Sequence, residues 1–250
     1  LRLVGSEMCI RDRYRVQGAH TLPPVFLYGT IIERIVLPER LDSVMAFALG
    51  GCRLRKIEFP DGMYVHAQAV ASDSLLQELS LPPIKGQAPT PYHYGLPALR
   101  SIKYGDLDYV ASRGFTDMKD LEEIIFAGSV GHIDGYTVKN CPKLRRIIFK
   151  GPVLSTGGSE FVKDCPELEE VRFEGLVFAT GFGEPINCPK LKGYTTDGKV
   201  LYADTAYFRI SNPKEIVSDP EMLDQARRMI ELKKKEILDP SFQFLKSIEI

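Results

Sequence analysis

Apolar residues recur along this chain in one frame, Leu-x-x-Ile-x-Phe. Ile32, Ile35 and Leu37 open the series, followed by Leu54, Ile57 and Phe59, then Leu76, Leu79 and Leu81. Leu99, Ile102 and Tyr104 come fourth, Leu121, Ile124 and Phe126 fifth, and Leu144, Ile147 and Phe149 sixth. Leu168, Val171 and Phe173 are seventh, and Leu191 with Tyr194 begin a weaker eighth. Successive starts lie 22, 22, 23, 22, 23, 24 and 23 residues apart. A period held over eight units marks a repeat architecture, in which each unit is one coil of a stack.

The fourth and sixth residues of a frame are two apart, so they share one face of a strand. A strand this short cannot bury that face alone, whereas stacked coils bury a continuous apolar column. The frame therefore predicts a parallel sheet with one strand per coil, spaced ~4.8 Å. Val130, Val153 and Leu176 form a second apolar rib, and Phe47, Phe115 and Phe161 fill the far side, on helical turns or irregular segments. Cys141, Cys165 and Cys188 each stand three residues before a frame Leu and just before a Pro, with Cys52 nearly in phase. They read as buried free thiols acting as small hydrophobes. A disulfide, or a three-cysteine metal site short of a fourth ligand, is the alternative.

Charge follows the same period. Frame positions two and three read Glu122-Glu123, Arg145-Arg146, Glu169-Glu170 and then Lys192. Opposite charges on neighbouring strands contribute ~0.2–1 kcal/mol each, so this is a ladder that sets register rather than a ligand site. Outward positions on the sheet are expected at Arg34, Lys56, Lys103, Ile125, Ile148 and Arg172, with Ile125 and Ile148 forming a small exposed apolar patch.

Two segments leave the frame. Pro82 to Pro97 carries five prolines and cannot be a helix. It reads as a rigid cover over the core; as a contact loop it would present Tyr92, His93 and Tyr94. Residues 197–240 read as a hairpin, Val200 to Tyr202 against Tyr207 to Ile210, and then an amphipathic helix. Ser218 is its cap, Pro220 lies in its first turn, and it ends near Asp239-Pro240. Residues 241–250 return to the frame as the start of a further, truncated repeat.

The frame, its spacing, the Ala46 to Cys52 string and Asp197-Gly-Lys-Val-Leu-Tyr202 resemble the BspA-like leucine-rich repeats over about residues 25–202. The resemblance implies a right-handed solenoid with a parallel sheet on one side, and protein binding or adhesion as a bacterial surface or secreted protein. It implies no catalytic residues. The fold class expected is thus a mainly β leucine-rich-repeat solenoid over residues 14–196, with turns and short helical segments opposite the sheet and one C-terminal α-helix. Residues 1–13 are set apart: Leu3 to Arg13, LVGSEMCIRDR, resembles a translated sequencing adapter.

The remaining chemistry is sparse. A net charge of −1 gives no support for a nucleic-acid partner, and no apolar run is long enough to span a bilayer. His20, His66, His93 and His132 are scattered, Gly128 to His132 is not a nucleophile elbow, and the glycines lack phosphate-loop spacing. The expectation is a non-enzymatic protein without cofactor or metal that binds another protein. A structural spacer or intracellular scaffold displaying another domain is the second reading.

Overall fold

The computed structural model describes residues 2–4, 14–17, 20–38, 40–66, 68–87, 95–156, 160–177, 182–197 and 208–210. They form about seven turns of a parallel β-solenoid. Its front is an eight-stranded sheet, made by Lys56–Glu58, Glu78–Leu81, Ser101–Tyr104, Glu123–Phe126, Arg146–Phe149, Glu170–Phe173, Tyr194–Thr196 and Phe208–Ile210. Every pairing in it is parallel and in frame, as in Ile124 against Ile147 and Phe126 against Phe149. The first frame strand, Ile35–Val36, instead pairs with Tyr14–Gln17, which pairs antiparallel with Arg2–Val4.

The expected inward positions are buried. Leu121, Leu144 and Leu168 are fully enclosed, as are Ile124, Ile147 and Val171. The sixth frame position is an aromatic stack. Ring centroids step from Tyr104 to Phe126 at 5.5 Å, to Phe149 at 4.6 Å and to Phe173 at 4.5 Å, with planes nearly parallel. Parallel rings at these centroid distances match the offset stacking that aromatic pairs prefer. Here the coil spacing imposes it, since equivalent side chains in a parallel stack leave the backbone in the same direction. Phe115 and Phe161 fill the far side as expected, but Phe47 is only partly buried, with its ring against Tyr28 at 5.9 Å.

The side opposite the frame departs from expectation. Among the described residues no segment is helical. In the later coils the return path is two further strands. Ile84–Gln87, Leu107–Val110, Val130–Ile133 and Val153–Thr156 form a four-stranded parallel sheet. Phe115–Thr116, Val138–Lys139 and Val162–Lys163 form a three-stranded one. The start of the proline-rich segment is thus a strand. The rib expected at Leu176 falls instead on Val177, which bridges to Val153 and lies nine residues after Leu168, the offset that Val130 and Val153 keep from Leu121 and Leu144.

In the first coils, Thr21–Leu22, Ser43–Val44 and Tyr64–Val65 pair in parallel and lead into turns. Those turns explain why no helix forms. Backbone N–H groups of Phe47, Leu49 and Gly51 donate to Gln68, Ala69 and Ala71 in the next coil. The alternate ones, Ala48 and Gly50, donate three residues back, to Met45 and Phe47. Half the donors that a helix needs are committed to the neighbouring coil. The C-terminal helix and the Val200 to Tyr202 half of the hairpin lie outside the described residues. Phe208–Ile210 pairs in parallel with Tyr194–Thr196 and extends the front sheet.

Two corner devices let coils stack closely. Asp117, Asn140, Asp164 and Asn187 turn the chain with φ of 58°, 53°, 55° and 53°. Asp and Asn tolerate this left-handed region better than other side chains. Asn140 donates to Asp117, and Asn187 to Asp164 at 2.6 Å. After the front strand, Gly128, Gly151 and Gly175 form a column in which any Cβ would overlap backbone atoms of the preceding coil.

Candidate partner-binding surface

The front sheet presents two outward columns. Position three reads Lys56, Glu78, Ser101, Glu123, Arg146 and Glu170 in register. Position five reads Glu58, Ser80, Lys103, Ile125, Ile148, Arg172 and Thr195. Lys56 therefore shares a column with Glu78 and not with Ile125; Arg34 precedes the first frame strand and is exposed.

The position-three column is the anticipated ladder. Lys56 Nζ lies 2.6 Å from Glu78, and Arg146 pairs with Glu123. At the corner below, Lys143 meets Asp120 at 2.7 Å and Lys190 meets Glu167 at 2.6 Å. These partners hold the Asp120 and Glu167 carboxyls below their ordinary range and lift the Lys56 ammonium. All but the part-buried Glu123 are exposed, so solvent screening leaves each pair little net stabilisation. Their collective effect is on register: coils five to eight alternate acidic and basic, so a slip by one coil would set like charges side by side.

The position-five column corrects one expectation. Ile148 is only 8% exposed, and Ile125 is half-buried. The reason is stacking: Ile148 sits between Ile125 and the longer Arg172, each one strand away on the same face, and is flanked on both sides. The apolar patch is therefore narrower than the sequence implies. Arg172 closes it on the C-terminal side. Its Nε donates to Asp197 at 2.6 Å and one terminal nitrogen lies 3.5 Å from Glu170. The Asp197 carboxylate raises the pKa of the guanidinium further. Tyr92, His93 and Tyr94 lie outside the described residues.

A broad groove of about 740 Å³ runs over the ladder residues, including Glu122, Arg145 and Glu169. It is lined by charged side chains of both signs, whereas small-molecule pockets are mostly apolar with a few polar groups.

The second sheet holds a polar cluster that sequence reasoning missed. His132 is buried and its ring stacks on Tyr109, with centroids 5.8 Å apart. The Tyr109 hydroxyl and the Ser112 N–H both donate to Asp134 Oδ2, and His132 Nε2 lies 3.4 Å from Oδ1. Burial lowers the His132 pKa, and burial with the Asp134 bond raises that of Tyr109. Imidazole and phenol are thus both held neutral at pH 7, and the cluster ties adjacent coils together at a corner. The signal that could have found it is His132-x-Asp134, with His132 on the strand and Asp134 just past its end, and Tyr109 in register with His132.

The four cysteines among the described residues, Cys52, Cys141, Cys165 and Cys188, are free and buried. Cys141, Cys165 and Cys188 donate to the carbonyls two residues back, Lys139, Lys163 and Ile186, at 3.4, 3.3 and 3.3 Å. The Cys141 thiol pushes Cys165 up to about 12, and Cys165 in turn raises Cys188.

Compared with known families, residues 21–88 and 90–214 match the model of the BspA type leucine-rich repeat region, in six copies. The chain belongs to the BspA-type leucine-rich repeat family. No curated protein and no solved structure matches it. Among the described residues of this BspA-type chain, no helix is long and apolar enough to cross a membrane. No group of three or more His, Cys, Asp or Glu side chains there is placed to hold a metal ion.

Proposed function

We propose that this BspA-type solenoid is a non-catalytic module that binds a protein partner at a bacterial cell surface, through the front sheet between Lys103 and Arg172. The observation that carries the reading is the pair of outward columns on an in-register parallel sheet. They offer a rigid, extended surface whose side chains repeat at strand spacing, so contacts cost little ordering entropy on binding. Ile125 supplies the apolar contact, with Lys103 on the neighbouring strand and Arg172 two strands away on the other side. The Tyr92, His93 and Tyr94 segment would add aromatic contacts. Membership of the family supports protein binding as the role and supports a surface location.

A second reading is a structural spacer or scaffold, favoured by one observation: the ladder charges are paired within the chain. Biolayer interferometry of the intact chain against a panel of extracellular-matrix and cell-surface proteins separates the two. The binding reading expects a saturable partner whose affinity falls at least tenfold in Ile125→Asp/Arg172→Glu, with unchanged far-UV circular dichroism. A partner bound equally by this variant and by Tyr92→Ala/Tyr94→Ala would refute both contact surfaces. Saturable binding to no protein in the panel favours the spacer. Labelling of intact cells with an antibody to the chain tests the location.

A further inference from the structure

In the last three coils the position three residues before the frame Leu is a donor position. Cys141, Cys165 and Cys188 there donate to the carbonyl two residues back, and Cys141 also reaches Phe115 of the preceding coil at 3.4 Å. Cys52, one residue out of phase, donates to Leu27 at 3.2 Å and more weakly, at 3.9 Å, to Gly50 two residues back. Leu96 and Met118 fill two other rungs with apolar side chains. In the third coil the rung is Asp73.

Asp73 is 0% exposed, and neither carboxylate oxygen has a hydrogen-bond partner. An ionised carboxylate only accepts hydrogen bonds; a carboxylic acid can donate one. A rung whose equivalents in other coils are thiol donors or uncharged groups therefore suits the acid and penalises the anion. The surroundings agree. Cys52, in the preceding coil, is the titratable neighbour, and burial holds its thiol protonated. Leu96 follows in the next coil, and Leu76 stands in the same one, both without charge. The Leu54 backbone N–H is the one group that favours the anion, without completing a hydrogen bond.

We propose that Asp73 is a proton switch built into the N-terminal half of the solenoid: the neutral acid lets coils two to four stack tightly, and its ionisation loosens them. Burial pushes its pKa up to about 7, consistent with titration near neutrality. The folded state then binds a proton that the unfolded chain has already released, so stability falls as pH rises from the ordinary carboxyl range, ~3.9, to about 7, and levels off above it. Because coils couple only to their neighbours, the loosening is local.

Two measurements test this on the full chain. The first is hydrogen exchange, corrected for intrinsic rates, at pH 5 and pH 8. Protection of the segment from Val44 to Leu81 should fall on the order of 10²-fold between the two, while that of Glu123 to Phe173 changes far less. In Asp73→Cys, which places the column's own donor at the rung, this difference should vanish. The second is a ¹³C titration of the Asp73 carboxyl by NMR, which should have its midpoint well above that of exposed aspartates. A midpoint at or below ~4, or a pH dependence of exchange that survives Asp73→Cys, overturns the proposal. If the variant does not fold, the NMR titration decides alone.

Discussion

Phe149→Ala removes the centre of the aromatic stack, and its cost can be worked from the geometry. The ring is fully buried, lies 4.6 Å from Phe126 and 4.5 Å from Phe173, and has Phe161 at 6.2 Å on its far side. A buried Phe→Ala change costs ~3–5 kcal/mol through lost transfer energy and the residual cavity. The upper half of that range is expected, because front and far walls are held apart by sheets that cannot collapse inward. Two ring pairs worth ~0.5–1.5 kcal/mol each are lost as well. In a stack coupled through nearest neighbours, both interfaces of the sixth coil weaken together. Urea unfolding followed by far-UV circular dichroism should then split from one transition into two, with the C-terminal coils melting first. Phe149→Leu is the control: it keeps most of the volume, loses only the ring pairs and should cost ~1–2 kcal/mol with a single transition. A Phe149→Ala cost below ~1.5 kcal/mol, or equal costs for the two variants, would refute the account of the stack as the element that couples coils.

Two further consequences concern the corners and the thiols. Gly151→Ala places a methyl on the backbone of Gly128 in the preceding coil, where no flexible side chain can yield. It should cost at least ~1–3 kcal/mol in denaturant unfolding, and more than alanine at Gly62, where a Cβ meets nothing and the only penalty is the left-handed φ of 81°; equal effects at the two sites would count against close stacking. Cys52, Cys141, Cys165 and Cys188 are buried, so at pH 8 they should react with a thiol-specific disulfide reagent only as fast as the chain opens, and within seconds in 6 M guanidinium chloride (~6 M, a fully denaturing concentration). Fast labelling of these four in the native protein would contradict their burial.

Much of the solenoid was legible because its signal is redundant. Leu121, Ile124 and Phe126 need only periodicity to be placed inward, and the same register then brings Glu123 beside Arg146. The cysteine column was legible as buried thiols from its fixed offset to each frame Leu. The candidate surface was legible only in outline. Whether Ile148 is exposed depends on Ile125 and Arg172, which lie 23 and 24 residues away along the chain and one strand away in space. The His132, Tyr109 and Asp134 cluster was missed for the same reason: two of its members are neighbours in sequence, and the third arrives from another coil.

The sequence alone determined the period, the inward columns, the parallel front sheet and the alternating charge of successive coils, because each depends on residue spacing within one coil repeated at a constant interval. Tertiary structure decided the return path. The segment from Ala46 to Gly51 has apolar spacing compatible with a helical turn, yet its N–H groups at Phe47, Leu49 and Gly51 bond to the next coil. That choice rests on an acceptor some twenty residues on, present only once the coils have stacked. The same holds for Asp73. Its place in the repeat is plain from sequence, but that it lies fully enclosed with no hydrogen-bond partner is a property of the coils packed around it.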